Sequence, residues 1–277
     1  MNLPELAERD ATGEKAAIYA DIRRLGGVPM VALIFRHLAT LPGALEWTWA
    51  ALGPAWERGQ LQEAAWRVAR QAPLTPIAAI PRAALAPLGV DGEDLRGIRT
   101  VLGAYNRANP VNMLTILCVL RLLRGHAPTR SPAARAWTPP PAHEGLPPMG
   151  DITALSPEVS ALLDVVAAPG EPDSPRVVQS LYRHYLHRPA FLALVVTLLR
   201  QRFDDGSIDA SVGHVHEEMS AAADRIVEGV TAPPAPHAGV APVCARFGAS
   251  VIPQMIVVGR LLEDALHVAE HLRPSRA

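Results

Sequence analysis

The sequence predicts an all-α protein, and three observations support this. Apolar residues recur at the three-and-four spacing of an amphipathic helix in several segments. No alternating run of β-branched residues with hairpin turns stands out, so strands are not expected. Prolines recur about once per predicted helix, where first-turn positions suit them. These segments and prolines are Ile18-Ile22-Leu25, Leu45-Trp49-Leu52, Leu95-Ile98-Val101-Leu102 and Leu114-Leu117-Leu120, with Pro29, Pro42, Pro110, Pro157, Pro175 and Pro189.

Part of the sequence occurs twice. Residues 35–61 and residues 182–208 overlay without a gap at a constant offset of 147 positions. Because a repeat of this length carries helix starts, core positions and turns together, it predicts a duplicated helical unit. We expect two pseudo-symmetric halves, with a site in the cleft between them. The identical pairs are Arg36-His37 with Arg183-His184, Pro42 with Pro189, Leu45 with Leu192, Leu52 with Leu199, and Gly59 with Gly206.

The composition changes between the two copies. From residue 126 to residue 151 the chain is rich in proline and poor in apolar residues, including the run Pro139-Pro140-Pro141. Such a segment cannot bury enough surface to fold alone, and it favours extended conformations. We therefore predict a first helical repeat at 1–125, a surface linker at 126–151 and a second helical repeat at 152–277.

Composition and charge limit the classes of function. A chain of 277 residues that is 49% hydrophobic can bury a large core. Its net charge of −1 provides no basic field for nucleic acid, so a nucleic-acid partner is not expected. The longest apolar run that we identified, Phe191–Leu199, is too short to cross a bilayer, so no membrane partner is expected.

The cysteines and the N-terminal residues suggest where the protein works. Cys118 and Cys244 each lie in an apolar run that suits a small buried thiol, and two cysteines make no disulfide framework. The N-terminus carries Glu5, Glu8 and Arg9 where a signal peptide would need an apolar segment. We expect a reduced, cytoplasmic protein.

Two histidine patterns resemble metal sites. His267, Glu270 and His271 match the H-x-x-E-H zinc pattern, which needs a further ligand from well beyond the motif. His214 and His216 are two residues apart, so on a helix they would not share a face. We therefore expect solvated polar residues at both places and no bound metal.

A third polar cluster has two interpretations. Asn109 before Pro110 could be a helix N-cap followed by proline at the first helical position. Alternatively, the carboxamide of Asn109 is held at a rigid point, where it could donate to and accept from a water or a polar substrate group.

Several segments together carry a resemblance to one family: Ile18–Arg23, Val28–Ala32, Leu38–Gly43, Val101–Pro110, the Pro189 helix and the closing helix with His267 and Glu270. They resemble the group I 2-haloacid dehalogenases, a family that attacks both enantiomers of small 2-halocarboxylates. The resemblance implies an all-α homodimer of two pseudo-symmetric repeats per chain, with the pocket between repeats. It also implies direct attack by a water on C2, activated by an aspartate with the help of an asparagine, without a covalent ester or a cofactor.

The resemblance implies roles for individual residues. Asn109 matches the family's water-orienting asparagine, and Ser180 matches a polar residue that holds the substrate carboxylate. Met30 and Leu33 stand where the family has bulky aromatic walls, which implies a softer and wider pocket. The position after Ser180 should be the catalytic aspartate, but in this sequence it is Leu181. A leucine cannot accept a proton, so the expected general base is missing.

Two other residues could replace that base. His184 lies about one helical turn after Leu181, and an imidazole has a suitable unperturbed pKa. Against it, His37 holds the equivalent place in the first copy, and a residue common to both copies is more often structural. Asp173 would reach the pocket only if the helix start were rearranged.

Three hypotheses therefore remain open. In the first, the chain is a haloacid-dehalogenase-like hydrolase that uses Asn109 and an alternative base. In the second, it is a catalytically altered relative that binds a small carboxylate-bearing molecule without dehalogenation. In the third, it is a structural helical protein, which would leave Asn109 and Ser180 without a role.

Overall fold

The predicted all-α class is confirmed. The computed structural model describes residues 4–125, 129, 136–153, 155–167, 178–234 and 239–271, and this part of the chain contains helices and no strand. A π-helical turn, Phe247–Val251, joins the last two helices. The helices are α1 (Gly13–Gly26), α2 (Leu33–Leu38), α3 (Ala44–Glu57), α4 (Gln60–Gln71), α5 (Arg82–Leu85), α6 (Gly92–Leu123), α7 (Pro157–Val166), α8 (Ser180–Tyr185), α9 (Pro189–Asp204), α10 (Ser207–Val227), α11 (Val240–Arg246) and α12 (Ile252–His271).

The long helix α6 forms the centre of the molecule. It starts at a capping box in which the carboxylate of Asp91 accepts hydrogen bonds of 2.8 Å from the backbone N–H groups of Glu93 and Asp94. Every residue from 111 to 119 is buried, as expected for a helix that is covered on all sides. Helices α4, α10 and α12 pack around α6, so one continuous core includes residues of both predicted repeats.

The prediction of proline positions is confirmed in part. Pro157 and Pro189 begin α7 and α9, as expected. Pro110 lies inside α6, so the expected N-cap at Asn109 is wrong. The helix already has its cap at Asp91, and the buried residues on either side of Pro110 stabilise continuous helix against a cost of about 3 kcal/mol for an interior proline.

The remaining predicted prolines differ as well. Pro29 and Pro42 lie in the turns that precede α2 and α3, not in first helical turns. Pro175 is outside the described residues.

Helix boundaries in the two predicted copies correspond at the offset of 147. Helix α2 spans residues 33–38 and α8 spans residues 180–185, while α4 and α10 start at the equivalent positions 60 and 207. Gly59 and Gly206 precede these starts with φ of 68° and 74°, left-handed values that favour glycine. This correspondence supports the predicted duplication, which stays a prediction.

The described part of the proline-rich linker, from residue 136 onward, contains no helix and no strand. Its Trp137 packs so closely on Gly59 that a Cβ there would lie 2.3 Å from the indole ring. The guanidinium of Arg107 donates to the carbonyl of Gly27 at 2.9 Å and to that of Pro141 at 2.7 Å. These contacts fasten the linker to the first half of the chain.

One helical stretch is long and apolar enough to cross a membrane. It runs from Val240 to His267, and 53% of its most apolar window is buried inside the protein. Core helices pass the same test, and here α12 packs on α6 so closely that a Cβ on Gly259 would lie 2.0 Å from the Asn106 carboxamide. This stretch is longer than the apolar run Phe191–Leu199, but it is not a continuous apolar run, because charged residues such as Arg246 and Arg260 interrupt it.

The cysteines and histidines lie where their local sequence suggests. Cys118 and Cys244 are free and buried, as predicted. His214 and His216 lie on α10, and His267 on α12 contacts the backbone oxygen of Glu263 at 3.1 Å. Over the described residues, no group of three or more potential ligand side chains could hold a metal ion.

Candidate functional site

A cavity of about 570 Å³ lies among α2, α6, α8, the π-helical turn and the end of the linker. It is large enough for a small organic molecule and several waters. Both predicted halves of the chain contribute to its wall. The lining positions are 30–34 and 36, 105, 108, 109 and 112, 146–149 and 152, 178–181, 183 and 184, and 246, 247, 249, 251, 252 and 255.

The structure brings all six residues that the sequence singled out to this one cavity. They come from three separate regions of the chain, and the cavity is where these regions meet. The catalytic and binding roles of these residues stay predictions. The six are Met30, Leu33, Asn109, Ser180, Leu181 and His184.

The short helix α8 presents three of these residues. Ser180 is its first residue, and Leu181 and His184 are one turn apart, so both contact the same cavity. Leu181 is only 1% exposed, and its side chain is part of an apolar wall. The position at which the family resemblance implies an acid therefore does face the cavity. Asp173, the other base considered, is outside the described residues.

Helix α6 presents a polar face to the same cavity. Tyr105, Ala108, Asn109 and Asn112 recur at helical spacing and all line it. The side chains of Asn109 and Asn112 make no hydrogen bond to any described residue, and Nδ2 of Asn109 is fully buried. Because buried polar groups are normally satisfied, these carboxamides are suited to binding a water or a polar ligand.

Tyr105 and His184 form a hydrogen-bonded pair across the cavity wall. The phenol oxygen lies 3.2 Å from Nε2 of His184, and the ring centroids are 5.7 Å apart. Burial raises the pKa of Tyr105 to about 12, while Ser180, Arg36 and Arg183 act in the opposite direction. At neutral pH the phenol is therefore protonated and can donate to the imidazole.

Burial also determines the protonation state of His184. Desolvation lowers its pKa below the ordinary 6.5, the nearby Pro147 carbonyl opposes this, and the charges of Arg183 and His187 lower the pKa further. The imidazole is therefore neutral at pH 7 and has a lone pair for a proton. Its Nδ1 is buried and has no hydrogen-bond partner of ordinary geometry among the described residues.

The charged residues around the cavity are all arginines. Arg36, Arg183 and Arg246 contribute to the wall, and no aspartate or glutamate is among the lining residues of the described chain. Arg36 pairs with the carboxylate of Glu5 at 2.9 Å. The cavity therefore favours an anionic ligand and offers no carboxylate as a general base.

Arg36 and Arg183 line the cavity although neither was predicted from the sequence to belong to the site. The available signal was the Arg-His dipeptide that recurs in both copies, which we interpreted as structural. Tyr105 and Asn112 were also missed, because the interruption expected at Pro110 hid the helical spacing that joins them to Asn109.

The end of the linker forms one wall of the cavity, which the sequence analysis also missed. The N–H of Gly150 donates to the carbonyl of Arg183, and Nε2 of His187 contacts the carbonyl of Pro148, both at 2.9 Å. Glycine is needed at 150, because a Cβ there would lie 2.6 Å from the Cβ of Leu186. Met149 and Ile152 leave 38% and 40% of their surface exposed at this wall.

Comparison with known proteins points to one family. No protein-family model matches the chain. A configuration-inverting 2-haloacid dehalogenase from Alcaligenes xylosoxydans xylosoxydans is 34% identical to it over 173 residues, which are 59% of this chain and 58% of that protein. The match therefore spans less than two thirds of the relative's length.

Solved structures extend the likeness to the whole fold. A D-2-haloacid dehalogenase mutant in complex with D-2-CPA has a TM-score of 0.73 at 17% identity and covers 96% of both chains. A D-2-haloacid dehalogenase in complex with L-LA has a TM-score of 0.70 at 17% identity and covers 97% of this chain and 96% of the other. At this identity the likeness is one of fold. The resemblance identified from the sequence is confirmed.

Proposed function

We infer that this chain, a relative of the group I 2-haloacid dehalogenases, is a hydrolase that displaces halide from C2 of a 2-halocarboxylate. The observation that carries the proposal is the meeting of Asn109, Ser180 and His184 in one cationic cavity. The partial match to a configuration-inverting 2-haloacid dehalogenase supports the same reaction. The homodimer that the resemblance implies belongs to the proposal as well.

The electrostatics of the cavity suit the proposed substrate. A 2-halocarboxylate carries one negative charge next to a polarisable halogen, so it needs a cationic contact and an apolar one. Wall arginines other than the ion-paired Arg36 supply the first, and Met30 and Leu33 supply part of the second. Apolar walls also keep bulk water away from the reacting carbon.

In the proposed reaction Asn109 orients a water for attack opposite the halogen. The carboxamide oxygen can accept a hydrogen bond from the water, while the carboxamide NH2 donates to another acceptor and so holds the side chain in place. This fixes the direction of the lone pair on the water oxygen. The water oxygen bonds to C2 while the carbon–halogen bond breaks, and the halide leaves with the bonding electrons. Attack from the opposite side inverts the configuration at C2, and no enzyme ester forms.

His184 acts as the base in place of the missing carboxylate, and Tyr105 relays the proton. The attacking water gives a proton to the phenol oxygen of Tyr105, while the phenol gives its own proton to Nε2 of His184, 3.2 Å away. The neutral imidazole becomes an imidazolium and later loses the proton to solvent. The high pKa of Tyr105 keeps the phenol from remaining ionised between these transfers.

One observation favours the second hypothesis, a catalytically altered relative that binds a carboxylate without dehalogenation. Leu181 is buried in the wall at the position that the resemblance assigns to the aspartate, and the lining residues of the described chain include no acid. Under this alternative, the cavity would bind a small carboxylate-bearing molecule and leave its carbon–halogen bond intact.

Halide release from each enantiomer of 2-chloropropionate tests the proposal. We expect release by the wild type, and a loss of about 100-fold or more in His184→Gln, as for removal of a general base. His37→Gln is the matched control, because this equivalent histidine contacts the Pro4 carbonyl at 2.6 Å and does not line the cavity. Its turnover should match that of the wild type.

Leu181→Asp separates the two hypotheses. If the wild type is silent and the variant releases halide, the cavity binds the substrate and only the base has been lost. That result would contradict a working His184 and establish the alternative.

A further inference from the structure

Arg36 and Arg183 hold equivalent positions in the two copies but differ in their partners. Arg36 is ion-paired with Glu5 at 2.9 Å. The side chain of Arg183 makes no ion pair and no hydrogen bond to any described residue, and its Nε is fully buried. Two arginines placed by the same local sequence thus face the cavity, one with a carboxylate partner and one without.

Asp151, the acid that interacts electrostatically with Arg183, is hydrogen-bonded to Thr153 and not to Arg183. The carboxylate of Asp151 accepts hydrogen bonds of 2.8 Å from the backbone N–H and the hydroxyl of Thr153, which lower the pKa of Asp151 most, and the charge of Arg183 lowers it least. Arg246, the third cation of the wall, is the last residue of α11 and not part of α8. Arg183 is therefore the cavity cation next to Ser180 and His184 in the chain.

A partly buried guanidinium without an anion is energetically unfavourable. Withdrawing its N–H groups from water costs free energy unless an acceptor replaces the water. The planar fork of arginine matches a carboxylate, to which it donates two parallel hydrogen bonds. A ligand carboxylate in the cavity would satisfy Arg183 in the way that Glu5 satisfies Arg36.

We propose that Arg183 binds the carboxylate of the substrate, and that Arg36 serves to fasten the N-terminal segment. The resemblance gave the carboxylate-binding role to Ser180, which becomes a secondary contact at the start of α8. This inference rests on the proposed function for the identity of the ligand, but it concerns binding and not turnover.

Calorimetric titration with propionate, which has the carboxylate of the proposed substrate but no halide to lose, tests the assignment without turnover. We expect Arg183→Gln to weaken binding by about ten- to a hundredfold, the range for losing charge-assisted hydrogen bonds. The neutral 2-chloropropionamide should bind wild type and variant alike, since it lacks the charge. Arg36→Gln is the matched control, and its affinity for the acid should stay within about threefold of the wild type.

Further measurements keep the outcomes distinct. Arg183→Lys retains the charge but not the fork, so it should fold and bind with intermediate affinity. Unchanged affinity of a folded Arg183→Gln would overturn the assignment, even if the wild type releases halide. Binding that depends on Arg183 without halide release would sustain it and contradict the hydrolase. If the wild type does not bind the acid at all, both proposals fail.

Discussion

The equivalent helices α2 and α8 show how one local sequence can serve two purposes. In α2, Arg36 pairs with Glu5 and His37 contacts the Pro4 carbonyl, so both side chains hold the N-terminal segment. In α8, Arg183 has no side-chain partner among the described residues and His184 contacts Tyr105 in the cavity wall. The side chains in α2 thus bind residues of the N-terminal segment, whereas the side chains in α8 line the cavity. Recurrence in both copies therefore does not make His184 structural.

The largest effect on turnover is expected when the hydroxyl of Tyr105 in the cavity wall is removed, compared with that of Tyr19, which contacts the N-terminal segment. Tyr105→Phe removes the hydroxyl that contacts His184, so halide release should fall by about 100-fold with little change in 2-chloropropionate binding. Tyr19→Phe is the control, because that hydroxyl donates to the Leu6 carbonyl at 3.1 Å in the N-terminal segment. Equal turnover in both variants would contradict the proton path.

The two left-handed glycines should differ in their contribution to stability. Gly59→Ala should lower the free energy of unfolding by about 2–3 kcal/mol, because it strains the backbone and displaces Trp137. Gly206→Ala should cost only about 1 kcal/mol, since no atom lies within 4 Å of its added Cβ. Urea denaturation of both variants measures the difference. Equal losses would mean that the contact of Trp137 with Gly59 contributes nothing to stability.

The pH dependence of turnover should identify the histidine of the second copy. The pKa of His184 is lowered from 6.5, chiefly by burial, so the neutral base prevails at pH 7. The value of kcat/KM should be constant around pH 7, and it should fall about tenfold per pH unit once the pH drops below the lowered pKa of His184. The unfolded chain takes up this proton first, so stability should also decline as the pH falls below 6.5. A profile that is unaltered in His37→Gln and flat in His184→Gln, with thermal unfolding measured alongside, is the expected pattern.

The smallest effect is expected at the ion pair of the first copy. Glu5→Gln removes the partner of Arg36, and because Glu5 is 40% exposed the loss should be below about 1 kcal/mol. Thermal unfolding measures it, and halide release should not change. A large loss of turnover would mean that Arg36 acts on the substrate and that the two arginines are less different than proposed.

The sequence predicted the helical class because local periodicity carries that information. The family resemblance led to the six cavity residues, and the repeat register only supported the placement of Ser180 and Leu181. The local sequence pattern misplaced Asn109 at a helix start, since the Asn-Pro pair is a strong local signal that burial of α6 overrides. Arg36 has a carboxylate partner and Arg183 has none among the described residues, and this difference depends on long-range contacts, which no local pattern encodes. The linker wall at residues 146–149 was missed for the same reason.

The linker wall has a consequence for how this protein could diversify. A proline-rich linker is already stiff before it packs, so ordering it against α8 costs little conformational entropy. Its side chains face the cavity without belonging to any helix, and Gly150 fixes its distance from α8. Selection could therefore alter the shape of the cavity by exchanging residues such as Leu146 or Met149, while the surrounding helices keep their packing.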